Sequence, residues 1–209
     1  MHTMNTTAIK ALFLDIGGVL LTKGWGRDAR RRAAERFGLD YDDMQERHAL
    51  VFHIYEEGRI TLSEYLRRVV FYRERDFTED QFTEFIFAQS EPYPDTLGLI
   101  RELKARYGLK TVALSNEGRE ITDYRIRAFD LTSLLDFFVC SCYVGTEKPD
   151  PAIYHFAMDQ VQLHKEDVVY IDDTALHVEV ARELGIPSIH HNDCESTRAE
   201  LARMGLKLT

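Results

Sequence analysis

The sequence predicts an α/β fold: a doubly wound parallel sheet interrupted once by a helical insert. Three observations carry this. Four short apolar runs each end in polar residues: Ala11-Leu12-Phe13-Leu14 at Asp15, Val112-Ala113-Leu114 at Ser115-Asn116, Cys140 to Val144 before Gly145-Thr146-Glu147-Lys148-Pro149-Asp150-Pro151, and Val168-Val169-Tyr170-Ile171 at Asp172-Asp173. From Pro92 onward strand-like and helix-like segments alternate, with lengths that require parallel pairing through right-handed crossovers. Between residues 22 and 91 the pattern is helical throughout.

Residues 8–21 read as a buried strand and its polar exit, where Asp15 runs through Ile16 into Gly17-Gly18. The insert follows as four helices. Arg27 to Phe37 stops at Gly38, and Asp42 to Glu57 stops at Gly58. Thr61-Leu62-Ser63-Glu64 has capping-box form and opens a helix carrying Leu62, Tyr65, Leu66, Val69 and Val70 at helical spacing. Thr78-Glu79-Asp80-Gln81 repeats that signal before Phe82, Phe85 and Ile86. The second part reads as helix 94–107, strand 110–115, helix 118–129, strand 137–143, helix 151–160, strand 168–172, helix 175–184 and a last strand at 187–190. Ligands of such sheets bind beyond the carboxyl ends of the strands. The four polar exits belong there.

At 209 residues and 44% hydrophobic content, the chain can bury one sizeable core plus a smaller appendage. A net charge of −9 argues against nucleic acid or an acidic membrane as partner and favours a small cation. The opening Met1 to Thr7 is short and polar, without secretory character, and the longest apolar stretch, Leu131 to Val144, is interrupted by Asp136 and too short to span a bilayer. A cytoplasmic location is expected. Cys140 and Cys142 are expected on one strand facing one side, and with Cys194 they read as small hydrophobes in a reducing compartment.

These motifs, in this order over nearly the whole chain, resemble the haloacid dehalogenase-like hydrolases, in the subgroup with a helical cap inserted after the first strand. The resemblance implies a Rossmann-like core over 1–21 and 92–209 and a cap over 22–91. It implies Asp15 as nucleophile, attacking phosphorus to give an aspartyl-phosphate that water hydrolyses. Mg²⁺ would be held by Asp15, the Gly17 carbonyl, Asp173 and Asp172, the last directly or through water. Ser115 would donate to a phosphoryl oxygen, and Lys148 would pair with Asp15 and the phosphoryl group. Backbone amides at Gly17 and Gly18 and around Asn116 would bind the remaining oxygens. The implied substrate is a small phosphorylated metabolite.

Bland readings exist for some of these residues. Asp172-Asp173 can cap the helix that follows, and Ser115 the helix after it. Arg27 and Arg30 to Arg32 meet either an anionic substrate or solvent. Trp25 and Tyr55 line the entrance or fill the cap, and His190 and His191 have no catalytic assignment.

Two departures stand out. Phosphatases of this family carry a second Asp two residues after the nucleophile as general acid and base, and this chain has Gly17. General acid–base help is worth about a hundred- to ten-thousandfold in rate. Glu117, His177 and the cap residues His48 and His53 are the candidate substitutes. Four residues past Asp173, many relatives have Asn or Asp where this chain has His177. Besides the phosphatase, two functions stay open: a metal- and phospholigand-binding relative without turnover, and a 2-haloacid dehalogenase. The paired acids tell against the last, which needs no metal.

Overall fold

The computed structural model describes residues 9–208; the polar opening read at residues 1–7 lies outside them. Five parallel strands form one sheet in the order β3-β2-β1-β4-β5: β1 Ala11–Leu14, β2 Lys110–Ser115, β3 Phe137–Cys140, β4 Val168–Asp172 and β5 Ser188–His190. Parallel strands buried on both faces read as continuous apolar runs, because successive residues serve opposite layers. Leu12 and Leu14 pack on one side against Leu99, Ile100 and Leu103 of α5 (Pro94–Tyr107). Ala11 and Phe13 pack on the other against Ile153, Tyr154 and Ala157 of α8 (Pro151–Val161). The doubly wound α/β fold is therefore built around β1, flanked by β2 and β4.

Four helices lie between β1 and α5: α1 Arg27–Phe37, α2 Tyr41–Glu56, α3 Leu62–Val69 and α4 Glu79–Phe87. Their ends follow the sequence signals. Gly38 closes α1 in the left-handed conformation, φ 60°, where a β-carbon is costly. Both capping boxes form, Thr61 with Glu64 and Thr78 with Gln81. Trp25, Tyr55, Tyr65 and Phe82 form an apolar cluster of their own with the helices around them. Trp25 and Tyr55, 2% and 0% exposed, are core of this unit, and Trp25 also lines a cavity shared with Asp15. The two segments joining it to the sheet run side by side: Thr22 N donates to Glu91 O and Tyr93 N to Leu20 O, at 2.8 and 2.9 Å.

Two expectations need correction. The strand expected at 137–143 ends at Cys140, and Ser141–Val144 turns into the short helix α7. The Ser141 hydroxyl explains the turn, donating to Glu56 O at 2.7 Å and accepting from Glu117 N at 3.1 Å. Cys140 and Cys142 therefore do not share a strand face, though both are buried and free. The helix α10, Cys194–Arg203, was not expected; Asp193 caps it by accepting from Ser196 N at 2.7 Å. The remaining elements are α6 (Arg119–Ala128) and α9 (Ala175–Glu183). No helix of the described residues is long and apolar enough to cross a membrane.

Candidate active site

The carboxyl ends of β1, β2 and β4 deliver Asp15, Ser115 and Asp172 to one point. Asp15 is 8% exposed. Its Oδ1 accepts from Ser115 Oγ and from Ile16 N, both at 2.7 Å, and its Oδ2 lies 3.2 Å from Lys148 Nζ. Lys148 Nζ also donates to Asp172 Oδ2 at 2.6 Å. The Tyr170 hydroxyl donates to that oxygen as well, and Thr174 N donates to Asp172 Oδ1 at 2.7 Å. Asp172 faces the buried lysine, and it does not cap α9: the helix starts at Ala175 with Thr174 as its N-cap and receives no side-chain capping hydrogen bond.

Burial works against charge on all three groups, and the balance differs for each. For Asp15 desolvation wins over Lys148 and lifts the carboxyl to about 6. Lys148 overcomes its own desolvation because Asp15 and Asp172 both attract it, and stays above its ordinary range. Asp172, with Lys148 and His177 beside it, is held well below the usual carboxylate range despite its burial. At neutral pH the site holds an ionised Asp15 beside a fixed ammonium.

Asp173 lines a cavity of about 450 Å³ together with Asp15, Gly17, Asn116 and Lys148. Carboxylate oxygens of Asp15, Asp172 and Asp173 lie within 4.8 Å of one another. Three hard oxygen donors at that separation suit a small divalent cation. Lys23, which gave no signal in the sequence, reaches Asp173 Oδ2 at 2.7 Å from the loop after β1.

Two expected contacts differ in detail. The Gly18 amide is engaged by Leu21 O at 2.7 Å, and a β-carbon there would meet the Asp173 carboxylate at 2.3 Å. Gly18, at φ 91°, gives Asp173 room and does not offer its N–H to a ligand. The Asn116 side chain spends both polar ends on the Lys148 backbone, donating to its carbonyl and accepting from its N–H at 2.8 Å each. It fixes the lysine loop. Gly17 lines the cavity.

The wall opposite Asp15 comes from the helical unit and from α6. Arg27, Arg30, His48, His53 and Glu56 face the cavity. Of the arginine run, Arg30 is buried, donating to Trp25 O at 2.5 Å, whereas Arg32 turns outward to Gln89. His48 is held in place by a hydrogen bond. Trp25 Nε1 donates to the Tyr65 hydroxyl at 2.9 Å, and that hydroxyl is hydrogen-bonded to His48 Nδ1 at 2.8 Å. Desolvation, reinforced by Arg30, pulls His48 down to about 3. Arg125 of α6 also reaches this wall; it is 1% exposed and pairs with Glu117 at 3.2 Å. Glu117 is one of the candidate acids read from the sequence, whereas nothing local in the sequence marks Arg125.

A family model described as haloacid dehalogenase-like hydrolase matches residues 9–185. The chain belongs to this family. Among curated relatives, it is 27% identical over 192 residues to a phosphorylated carbohydrates phosphatase of Thermotoga maritima, covering 87% of this chain and 84% of that one. It is 35% identical over 75 residues to bifunctional epoxide hydrolase 2 of Sus scrofa; that match covers 36% of this chain and spans only 14% of the relative's length. In three dimensions it resembles a haloacid dehalogenase-like enzyme of Bacteroides thetaiotaomicron solved as a magnesium complex. The TM-score is 0.75 at 21% identity, covering 88% and 93% of the two chains. As in that enzyme, the fold is the family's α/β sheet. The chain is a haloacid dehalogenase-like hydrolase.

Proposed function

We propose that the protein is a Mg²⁺-dependent phosphatase of a small phosphorylated metabolite, working through an aspartyl-phosphate on Asp15. The observation that carries this is the placement of Asp15, which touches Lys148 on one oxygen and shares a three-carboxylate cluster with Asp172 and Asp173. Mg²⁺ suits that donor set, with the Gly17 carbonyl as a further ligand, and would supply charge neutralisation between the carboxylates and the phosphoryl group. The chain's own residues do the rest. Lys148 keeps Asp15 ionised and meets the charge that develops on the phosphoryl oxygens. Ser115 transfers its hydroxyl hydrogen bond from Asp15 to a phosphoryl oxygen. Asn116 holds the Lys148 backbone in place, and Asp172 keeps the ammonium aimed at Asp15.

Residues 22–91 act in this reading as a cap and 1–21 with 92–209 as the core. The paired linkers at Thr22 and Glu91 support that division. A cavity of about 450 Å³ is of a size for a small metabolite. The Thermotoga relative, named for phosphorylated carbohydrates, supports a small sugar-like ester as substrate.

The absence of a carboxylate at Gly17 favours a second reading, a relative that binds metal and phospholigand without turnover. Hydrolysis of 4-nitrophenyl phosphate separates the two. Turnover that needs both Mg²⁺ and Asp15, lost in Asp15→Asn, establishes the phosphatase; Mg²⁺ binding without turnover establishes the binding module.

A further inference from the structure

We propose that Glu117 is the proton-transfer residue that replaces the acid missing at position 17, and that Arg125 positions it. The inference rests on the phosphatase reading. Glu117 follows Ser115-Asn116 at the end of β2, so it enters the Asp15 cavity from the strand next to the nucleophile. A β-carbon at Gly17 would lie 3.6 Å from Arg125 Nη1, and the same nitrogen is 3.2 Å from Glu117 Oε2. One guanidinium therefore links the vacant position to a carboxyl on the neighbouring strand. Arg125 is itself immobilised, with Nε on Ser90 Oγ at 3.0 Å and Nη2 on Thr22 O at 3.2 Å.

Each competing histidine has its Nδ1 paired. His48 Nδ1 is hydrogen-bonded to the Tyr65 hydroxyl, His177 Nδ1 is 3.3 Å from Asp172, and His53 Nδ1 pairs with Glu147 at the exposed rim. Glu117 has one donor on each oxygen, Gly118 N at 3.2 Å on Oε1 and Arg125 on Oε2, which leaves each oxygen a free lone pair. Burial raises its pKa, with Arg125 pulling the other way and the Asp15 charge adding to the rise.

The chemistry balances. As the Asp15 oxygen–phosphorus bond forms and the ester P–O bond breaks, the Glu117 carboxyl gives its proton to the departing alkoxide. The products are an alcohol, the aspartyl-phosphate and a Glu117 carboxylate. Water then gives a proton back to Glu117 while its oxygen attacks phosphorus and the Asp15–phosphorus bond breaks. The sum is ester plus water to alcohol plus phosphate.

The test is leaving-group dependence in Glu117→Gln, with glycerol phosphate and 4-nitrophenyl phosphate as paired substrates at saturating Mg²⁺. An alkoxide needs the proton; a nitrophenolate does not. The expected result is a fall in kcat of about a hundred- to ten-thousandfold on glycerol phosphate, with a far smaller change on the nitrophenyl ester. The ratio of two rates on one preparation does not depend on the fraction folded. Adding Gly17→Asp to the variant is expected to restore the alkyl ester selectively. Equal losses on both esters would overturn the Glu117 assignment while leaving the phosphatase reading intact. A parent protein that hydrolyses neither ester overturns both.

Discussion

Replacing the nucleophile should make the metal-free protein more stable. Asp15 has an ordinary carboxyl pKa of 3.8 when unfolded and about 6 in the folded protein, where desolvation outweighs Lys148. Between those values the native state binds more protons than the unfolded one, so stability falls as pH rises from about 4 to 6. Above pH 6 the full cost of the buried charge is present, about 3 kcal/mol at 1.36 kcal/mol per pH unit. Asparagine removes that charge and keeps an oxygen to accept from Ser115 and Ile16. It also turns an amide NH₂ toward Lys148 Nζ, 3.2 Å from the replaced oxygen, which returns part of the gain. A net stabilisation of about 1–2 kcal/mol is expected at pH 7.5. For a chain of this size that raises Tm by roughly 2–8 °C. The assay is thermal unfolding of parent and Asp15→Asn with a chelator present, at pH 7.5 and pH 4. The difference should shrink toward pH 4, where Asp15 is neutral in the folded parent too. A variant equal to or less stable than the parent at pH 7.5 would refute the reasoning.

Other outcomes follow from single contacts. Lys148→Met leaves Asp15 and the wholly buried Asp172 without their shared cation; a loss of about 3–5 kcal/mol is expected in urea unfolding, and an unchanged midpoint would contradict the pairing. His48, held at about 3 when folded against an ordinary 6.5, destabilises the fold as pH falls through 6.5, because only the unfolded chain takes up the proton. About 2 kcal/mol should be lost between pH 7 and 5 from this residue alone, and His48→Gln should flatten the urea midpoint over that range. Gly118→Ala puts a β-carbon 2.0 Å from the Tyr55 ring where the helical unit meets α6. Overpacking of this kind costs about 1–3 kcal/mol, and a parental melting curve would show that Tyr55 does not sit there.

Much of the fold was legible because the signals were local and repeated. Gly38, Gly108 and the two capping boxes end or begin helices where the sequence places them. The buried strands announced themselves because parallel pairing buries both faces, which leaves uninterrupted runs such as Val168–Ile171. Local reading failed where a tertiary contact decided. The apolar run through Cys142 looks like strand, but Ser141 is captured by Glu56 and Glu117 from two other elements. The helix α10 had a readable cap in Asp193, overshadowed by the histidines before it. Asp15, Lys148 and Asp172 converge because each ends or follows a strand, and the sheet places β1 between β2 and β4. Arg125, Lys23 and Tyr170 have no such marker. Arg125 sits in the middle of a helix, and only the folded chain brings it to Thr22, Ser90 and Glu117. Gly17 was legible as a departure, whereas its surroundings were not.

The central claim is that Asp15 carries the phosphoryl group. The most direct measurement is peptide mass spectrometry of the protein acid-quenched during Mg²⁺-dependent turnover of a phosphate ester. The expected result is a phosphoryl group on the peptide containing Asp15, absent from Asp15→Asn and absent without Mg²⁺. Turnover with no label on that peptide, or with the label on another residue, would contradict it.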